Sequence, residues 1–165
     1  MIVVSDSSPL IVLAKINSFS LLQKLYVKIV ISSEVYEEVV VAGAGLAGAT
    51  DTSESSWIEV RQVDNPADLT MAQNKTGLGL GELSTMLLAK QIRADLIILD
   101  DLGARKLAKK QGLKVQGCVA ILEAGFRKGY LSDLREAYLQ MLKQGVYLNR
   151  QLLNLSLKSF NLPPV

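Results

Sequence analysis

The chain has 165 residues, 49% of them hydrophobic, and 18 Lys and Arg against 16 Asp and Glu give a net charge of +2. This is enough apolar material for one buried core at ordinary domain size, with a charge that neither demands nor forbids a nucleic-acid partner. Histidine is absent and cysteine occurs once, at Cys118, which excludes Ser-His-Asp and Cys-His pairs, imidazole ligands, internal disulfides and multi-cysteine metal sites.

Any catalysis must then run on carboxylates, hydroxyls, lysines or a metal. The start MIVVSDSSPL has no basic n-region, and no apolar run reaches the roughly 18 residues needed to span a bilayer. A soluble, cytoplasmic chain with no membrane partner is the expectation.

In chain order, IVVS (2–5) reads as a short strand, followed by a helix with Ser8 as cap and Pro9 in its first turn. KIVIS (28–32) repeats the pattern. It leads into SSEVYEEVVV, where Ser33 is the expected N-cap, Glu34 sits in the first turn, and Val35–Val39 and Tyr36–Val40 are i,i+4 pairs. A Gly/Ala/Ser-rich loop (43–56) precedes the alternating strand WIEVRQV, and LGELSTMLLAKQI carries Leu83, Met86, Leu87 and Leu88 at helical spacing. DLIILDD is a buried-type strand, and LGARKLAKKQG is a helix ending in lysines and Gly112. LKVQG is a last short strand, followed by helices over 118–128, 132–143 and 148–158. Strands alternating with helices predict an α/β protein with a parallel sheet covered on both faces. Neither an internal repeat nor a domain linker is visible, so 1–165 reads as one domain, with 132–165 a C-terminal helical extension.

GAGLAG (43–48) is a literal G-x-G-x-x-G after three valines. A dinucleotide fingerprint needs those glycines between a strand and a well-formed helix. Here the valines finish a segment with its own helix cap, and ATDTSESS supplies poor helix formers. Asp64 lies near the distance expected of a ribose-binding acid, which keeps nucleotide binding as a minor reading; a glycine-rich surface loop is the main one. GLGLG (77–81) follows a polar stretch that is no strand, and its expected job is to enter the next helix.

The acids carry more. Asp100 and Asp101 end a buried strand, and Asp6 follows IVVS. The carboxyl ends of parallel strands form the crevice where ligands bind. Glu38, late in one helix, and Glu82, at the start of another, are placed to reach it. Clustered carboxylates repel, and a hard cation, Mg2+ or Mn2+, held by few carboxylates and several waters resolves the repulsion. Each acid also has a plainer use: Asp6 suits the turn before Ser8, Glu82 suits the helix dipole, Glu38 suits a solvated face beside Glu34 and Glu37, and one of Asp100 and Asp101 suits the cap of the next helix. Lys106, Lys109 and Lys110 read as a solvated helix face, and Cys118 as a small core residue.

SDSSPLIVLAKI, ISSEVYEEVVVAG, GLGELSTMLLAK and LIILDDLGARKLAKKQGLKV together resemble the successive motifs of PIN-domain proteins, most firmly over 1–42 and 77–129. The nearest likeness is to a prokaryotic PIN-like branch resembling the toxins of toxin–antitoxin pairs. The resemblance implies a three-layer α/β/α sandwich and a Mg2+- or Mn2+-dependent ribonuclease. Its first acid falls on Asp6, its second on Glu38, its third on Glu82, and its fourth on Asp101 with Asp100 beside it; Asp6, Glu82, Asp100 and Asp101 would be metal ligands. RNA would be the substrate and a small antitoxin protein a partner. The tail QLLNLSLKSFNLPPV is itself apolar, and Leu152, Leu153, Leu155, Leu157 and Phe160 suit either a homodimer with a second copy of the chain or, equally, a place in the core. Leu99 stands where many PIN nucleases have Thr or Ser, and Glu82 has a longer arm than the commoner Asp. The alternative expectation is a non-catalytic PIN-like module that binds protein or RNA.

Overall fold

The computed structural model describes residues 1–146 and 149–165. In chain order the elements are β1 (Val3–Ser5), α1 (Ser7–Lys15), α2 (Ser20–Tyr26), β2 (Ile29–Ser32), α3 (Ser33–Tyr36), a π-helical turn Glu37–Val41 continuing α3, α4 (Ala49–Glu54), β3 (Ile58–Arg61) and α5 (Pro66–Thr76). They continue with α6 (Leu80–Gln91), β4 (Leu96–Ile98), α7 (Leu102–Lys110), β5 (Val115–Gln116), α8 (Cys118–Arg127), α9 (Leu134–Lys143) and α10 (Arg150–Ser159).

The five strands form one all-parallel sheet in the order β3-β2-β1-β4-β5. Parallel pairing requires a crossover between successive strands, which the helices supply. Because side chains alternate along a strand, each strand feeds two cores. Val3, Ile29, Ile31, Leu96 and Ile98 pack on one face with residues of α1, α2, α8, α9 and α10. Val4, Val30, Ile97 and Leu99 pack on the other face with Leu69, Leu83, Met86, Leu88, Ala104 and Ala108 from α5, α6 and α7. The result is an α/β/α sandwich, and each fully buried Leu or Ile stabilises it by roughly 1.5–3 kcal/mol.

The register explains where the site lies. Val3 pairs with Leu96, Val4 with Ile97 and Ser5 with Ile98, and the Asp6 backbone N–H donates to the Ile98 carbonyl at 3.0 Å. β2 and β4 flank β1 on opposite sides. The strand order therefore reverses at β1, and a crevice opens at the carboxyl ends of β1 and β4.

Several boundaries differ from the sequence expectation. The cap of α1 is at Asp6 and not Ser8, because β1 ends at Ser5 and the chain turns helical at Ser7; Ser8 is an exposed second residue of the helix. Ser32 and not Ser33 caps α3, its Oγ accepting from the Val35 N–H at 3.0 Å. Within the expected loop 43–56, α4 forms after Gly48, whose φ of 91° needs a residue without Cβ. α2 and α5 were not expected. α2 is only seven residues long, and α5 buries Leu69 alone, so neither produces a strong apolar stripe; Pro66 at its start and left-handed Gly77 at its end were the available signals for α5. The expected start of the last helix at Leu148 falls outside the described residues, and α10 begins at Arg150. Leu134, Tyr138, Met141, Leu153 and Leu157 of α9 and α10 join the same buried cluster as Val3 and Ile98. Leu152 and Leu155 are exposed, and Phe160 packs edge-on against Phe126.

Candidate active site

Asp6 is the innermost acid. It leaves β1 in extended conformation, holds the N-cap position of α1 without a side-chain cap bond, and is only 4% exposed. Burial pushes its carboxyl up to about 7; the Ser7 backbone N–H opposes this, and the negative charges of Glu82, Glu38 and Asp100 add to it. Those three acids are the ones the tertiary fold brings to act on Asp6.

Glu38 reaches the site from the π-helical turn, where the Ala42 N–H bonds back to the Glu37 carbonyl at 2.8 Å. Single π turns widen a helix and recur at functional positions. Buried Ser7 donates from Oγ to Glu38 Oε2 at 2.8 Å, fixing this carboxylate beside Asp6. The floor beneath both is Gly81 in the first turn of α6. A Cβ there would lie 2.6 Å from Glu38 Oε2, 3.2 Å from Asp6 Oδ1 and 3.4 Å from Ser7 Oγ. Hydroxyls hold that turn in place: Ser84 and Thr85 both donate to the Gly81 carbonyl, at 2.9 and 2.7 Å, and Ser84 Oγ meets Ser32 Oγ at 2.7 Å.

The remaining acids have structural duties as well. Glu82 Oε2 accepts from the Gly79 N–H at 2.8 Å, closing the start of α6. Asp101 is exposed and caps α7, its Oδ1 accepting from the Ala104 N–H at 2.7 Å. Asp100, half-buried, accepts twice from Cys118: from the backbone N–H at Oδ1, 2.8 Å, and from Sγ at Oδ2, 2.9 Å. Burial and the nearby Asp100 charge push the Cys118 thiol well above its ordinary value, so it stays protonated and donates. The sequence assigns Ser7 and Ser8 to the turn and cap, with the orienting of a metal-bound water as the lesser reading for one of them, whereas Ser7 in fact orients Glu38; it gives no sign of Gly81 and Cys118 as site-builders.

Asp6, Glu34, Glu37, Glu38 and Glu82 line a cleft of about 780 Å3 together with Ser8, Ser33, Gln73 and the Gly79–Gly81 turn, with no Lys or Arg among the lining residues. The ion pairs found among the described residues, Lys28 and Arg61 with Glu59 and Arg127 with Glu123, lie elsewhere. Glu34 Oε2 is buried without a hydrogen-bond partner. Uncompensated carboxylate oxygens, one of them orphaned, around a cradle kept open by a glycine suit a hard divalent cation. Among the described residues no three acids stand close enough to coordinate one ion together. The fit is therefore to a cation that keeps most of its water and takes one or two carboxylates, the habit of Mg2+.

The glycines of GAGLAG follow the π-helical turn and precede the six-residue α4, so no strand-to-helix phosphate site exists there. What the acid cleft belongs to is decided by a family match: the profile of DUF3368, a PIN domain, covers residues 2–162. The chain belongs to the PIN-domain family. The match takes in α9 and all of α10. PIN domains are generally nucleases, hydrolases that typically use divalent metal ions. No curated protein sequence matches the chain significantly. Among the described residues no helix is long and apolar enough to cross a membrane.

Proposed function

We propose that this PIN domain is a metal-dependent endoribonuclease that hydrolyses RNA phosphodiesters in the cleft at the ends of β1 and β4. The observation that carries the reading is Asp6, a buried carboxyl at the sheet's switch point that faces Glu38, Glu82 and Asp100 with no cationic side chain among the residues lining the cleft. Asp6 and Glu38 would hold the Mg2+ or Mn2+, with Glu82, Asp100 and Asp101 reaching it through water. Capping engages Oε2 of Glu82 and Oδ1 of Asp101, so each keeps an oxygen for such a contact. The ion, when bound, lowers the pKa of a coordinated water and offsets charge on the scissile phosphate. Ser7 orients Glu38, Cys118 orients Asp100, and Gly81 leaves the space in which the phosphate approaches both acids. Without histidine, proton removal from water would fall to a carboxylate that reaches the ion only through water, Glu82, Asp100 or Asp101, because Asp6, raised to about 7 in the metal-free site, would be held ionised by the bound cation. A small antitoxin protein covering this cleft would make the chain the toxin of a toxin–antitoxin pair.

The test is cleavage of single-stranded RNA by pure protein with Mn2+. Activity abolished by a chelator and by Asp6→Asn, and retained in Asp64→Asn, is expected. Absence of cleavage with Mn2+ and Mg2+ would leave a non-catalytic binding module.

A further inference from the structure

One face of α7 presents Leu102, Arg105, Lys106 and Lys109 at i, i+3, i+4 and i+7, while Ala104 and Ala108 on its other side are buried in the sheet's core. None of the three cations forms an ion pair among the described residues. They form one wall of a groove of about 600 Å3, whose other wall is built from α8, Asn149 and α10. Two carboxylates also line the groove, and both are engaged. Asp100 accepts from the Cys118 N–H and thiol, and Glu123 accepts from Ser156 at 2.6 Å and pairs with Arg127 at 3.7 Å. Asp100 keeps its charge, because both its donors are neutral, while Glu123 is paired with Arg127; three cations against these two carboxylates leave the groove lining net positive, beside an apolar ledge of Leu102, Leu152 and Leu155, exposed by 81, 44 and 64%.

Asp100 belongs to both places. It lines this groove, and its charge acts on Asp6 in the acid cleft. The acid cleft, with five carboxylates and no cation in its lining, repels a polyanion, so a strand that reaches it needs its binding energy elsewhere. We propose that the α7–α10 groove is the docking track for single-stranded RNA: Arg105, Lys106 and Lys109 take backbone phosphates, and the leucine ledge meets bases that a duplex would keep stacked inside. The groove delivers the strand across Asp100 to the acid cleft, and in that last step the inference rests on the nuclease reading; the docking itself does not.

Binding is therefore measured without cleavage, as the anisotropy of a labelled oligouridylate of about 12 nucleotides titrated with full-length protein in EDTA over a range of salt. The wild type is compared with Arg105→Gln/Lys106→Gln/Lys109→Gln, and with a charge-matched control, Lys15→Gln/Lys24→Gln/Lys90→Gln, on exposed positions outside both cavities. For every phosphate that the protein no longer neutralises, the slope of log affinity against log salt falls by about 0.7 for a single strand, so the α7 variant should lose about two from the slope and roughly tenfold to hundredfold in affinity at 0.1 M salt. The control should bind within about twofold of the wild type at that salt, because its three lysines neutralise no phosphate of the docked strand. Equal affinity and slope in wild type and α7 variant would overturn the proposal, as would equal losses in both variants. Competition by polyglutamate as strong as by unlabelled RNA would also overturn it, assigning the groove to acidic peptides. A wild type that binds RNA through α7 but never cleaves it with Mn2+ refutes the nuclease reading alone; one that cleaves while the α7 variant binds unchanged refutes the groove alone.

Discussion

Replacing Asp6 by Asn tests the electrostatics of the site most directly, because the sign of the effect reverses with pH and with metal. A carboxyl moved from 3.8 to about 7 by burial and by Glu82, Glu38 and Asp100 corresponds to about 4 kcal/mol, at about 1.4 kcal/mol per tenfold change in proton affinity. Its folded value lies above its unfolded one. The stability it contributes is complete below about pH 4 and is lost as pH rises through 7. In EDTA at pH 8 the wild type therefore carries a penalty that Asp6→Asn does not, and the variant should melt higher, by up to on the order of 10 °C for a chain of this size. No cap bond is forfeited, because the Asp6 side chain makes none. At pH 4 the two proteins should melt together. Mn2+ at about 100 times its dissociation constant adds roughly 2.7 kcal/mol to the wild type at pH 8, about 5–10 °C, and little to the variant. Below pH 7 protons compete for Asp6 and the metal shift should shrink. The assay is a set of thermal melts followed by circular dichroism at pH 4, 6 and 8, in EDTA or Mn2+. A variant that melts below the wild type in EDTA at pH 8, or a wild type unmoved by Mn2+ at that pH, would refute the reasoning.

Gly81→Ala should raise the intrinsic helix preference of α6 by up to about 1 kcal/mol. Its new methyl would stand 2.6 Å from Glu38 Oε2, so Mn2+-dependent cleavage should fall at least about tenfold by loss of ligand geometry; undiminished cleavage would remove Gly81 from the site. Cys118→Ala removes the thiol donor to Asp100 Oδ2 and should cost about 1–2 kcal/mol in urea unfolding while raising the Mn2+ concentration needed for half-maximal cleavage. Cys118→Ser keeps a donor and should restore the metal requirement; identical requirements in wild type and Ala variant would mean that Asp100 needs no such orientation. Leu152 and Leu155 remain exposed on α10 and line the α7–α10 groove, so a second copy of the chain packed on them would cover it; a light-scattering mass of a dimer at micromolar concentration that RNA does not dissociate would count against the docking track.

The strands, their parallel sense and the acids at their ends were legible because they depend on local patterns, while the strand order was not. IVVS, KIVIS and DLIILDD are apolar enough to be buried on both faces, and Asp6 and Asp100 follow directly from the last residues of two such runs. Val35 and Val39 are buried as their i,i+4 spacing predicts. α2 and α5 were not legible, since one is too short and the other too polar to show a period. What only the tertiary structure decided is how each carboxylate oxygen is used. Asp100 and Asp101 are neighbours in the chain, yet Cys118, 18 residues beyond Asp100, turns Asp100 toward β5 and α8, while Asp101 is drawn to the N–H of Ala104. Of the two, only Asp100 has a charge that acts on Asp6. Ser7 finds Glu38 across 31 residues, and Gly81 matters only because two other segments press their side chains onto it. Periodicity belongs to the chain and can be read along it. The lone pairs of a carboxylate go to whichever donors the folded chain brings within about 3 Å, and those donors are set by packing between segments distant in sequence.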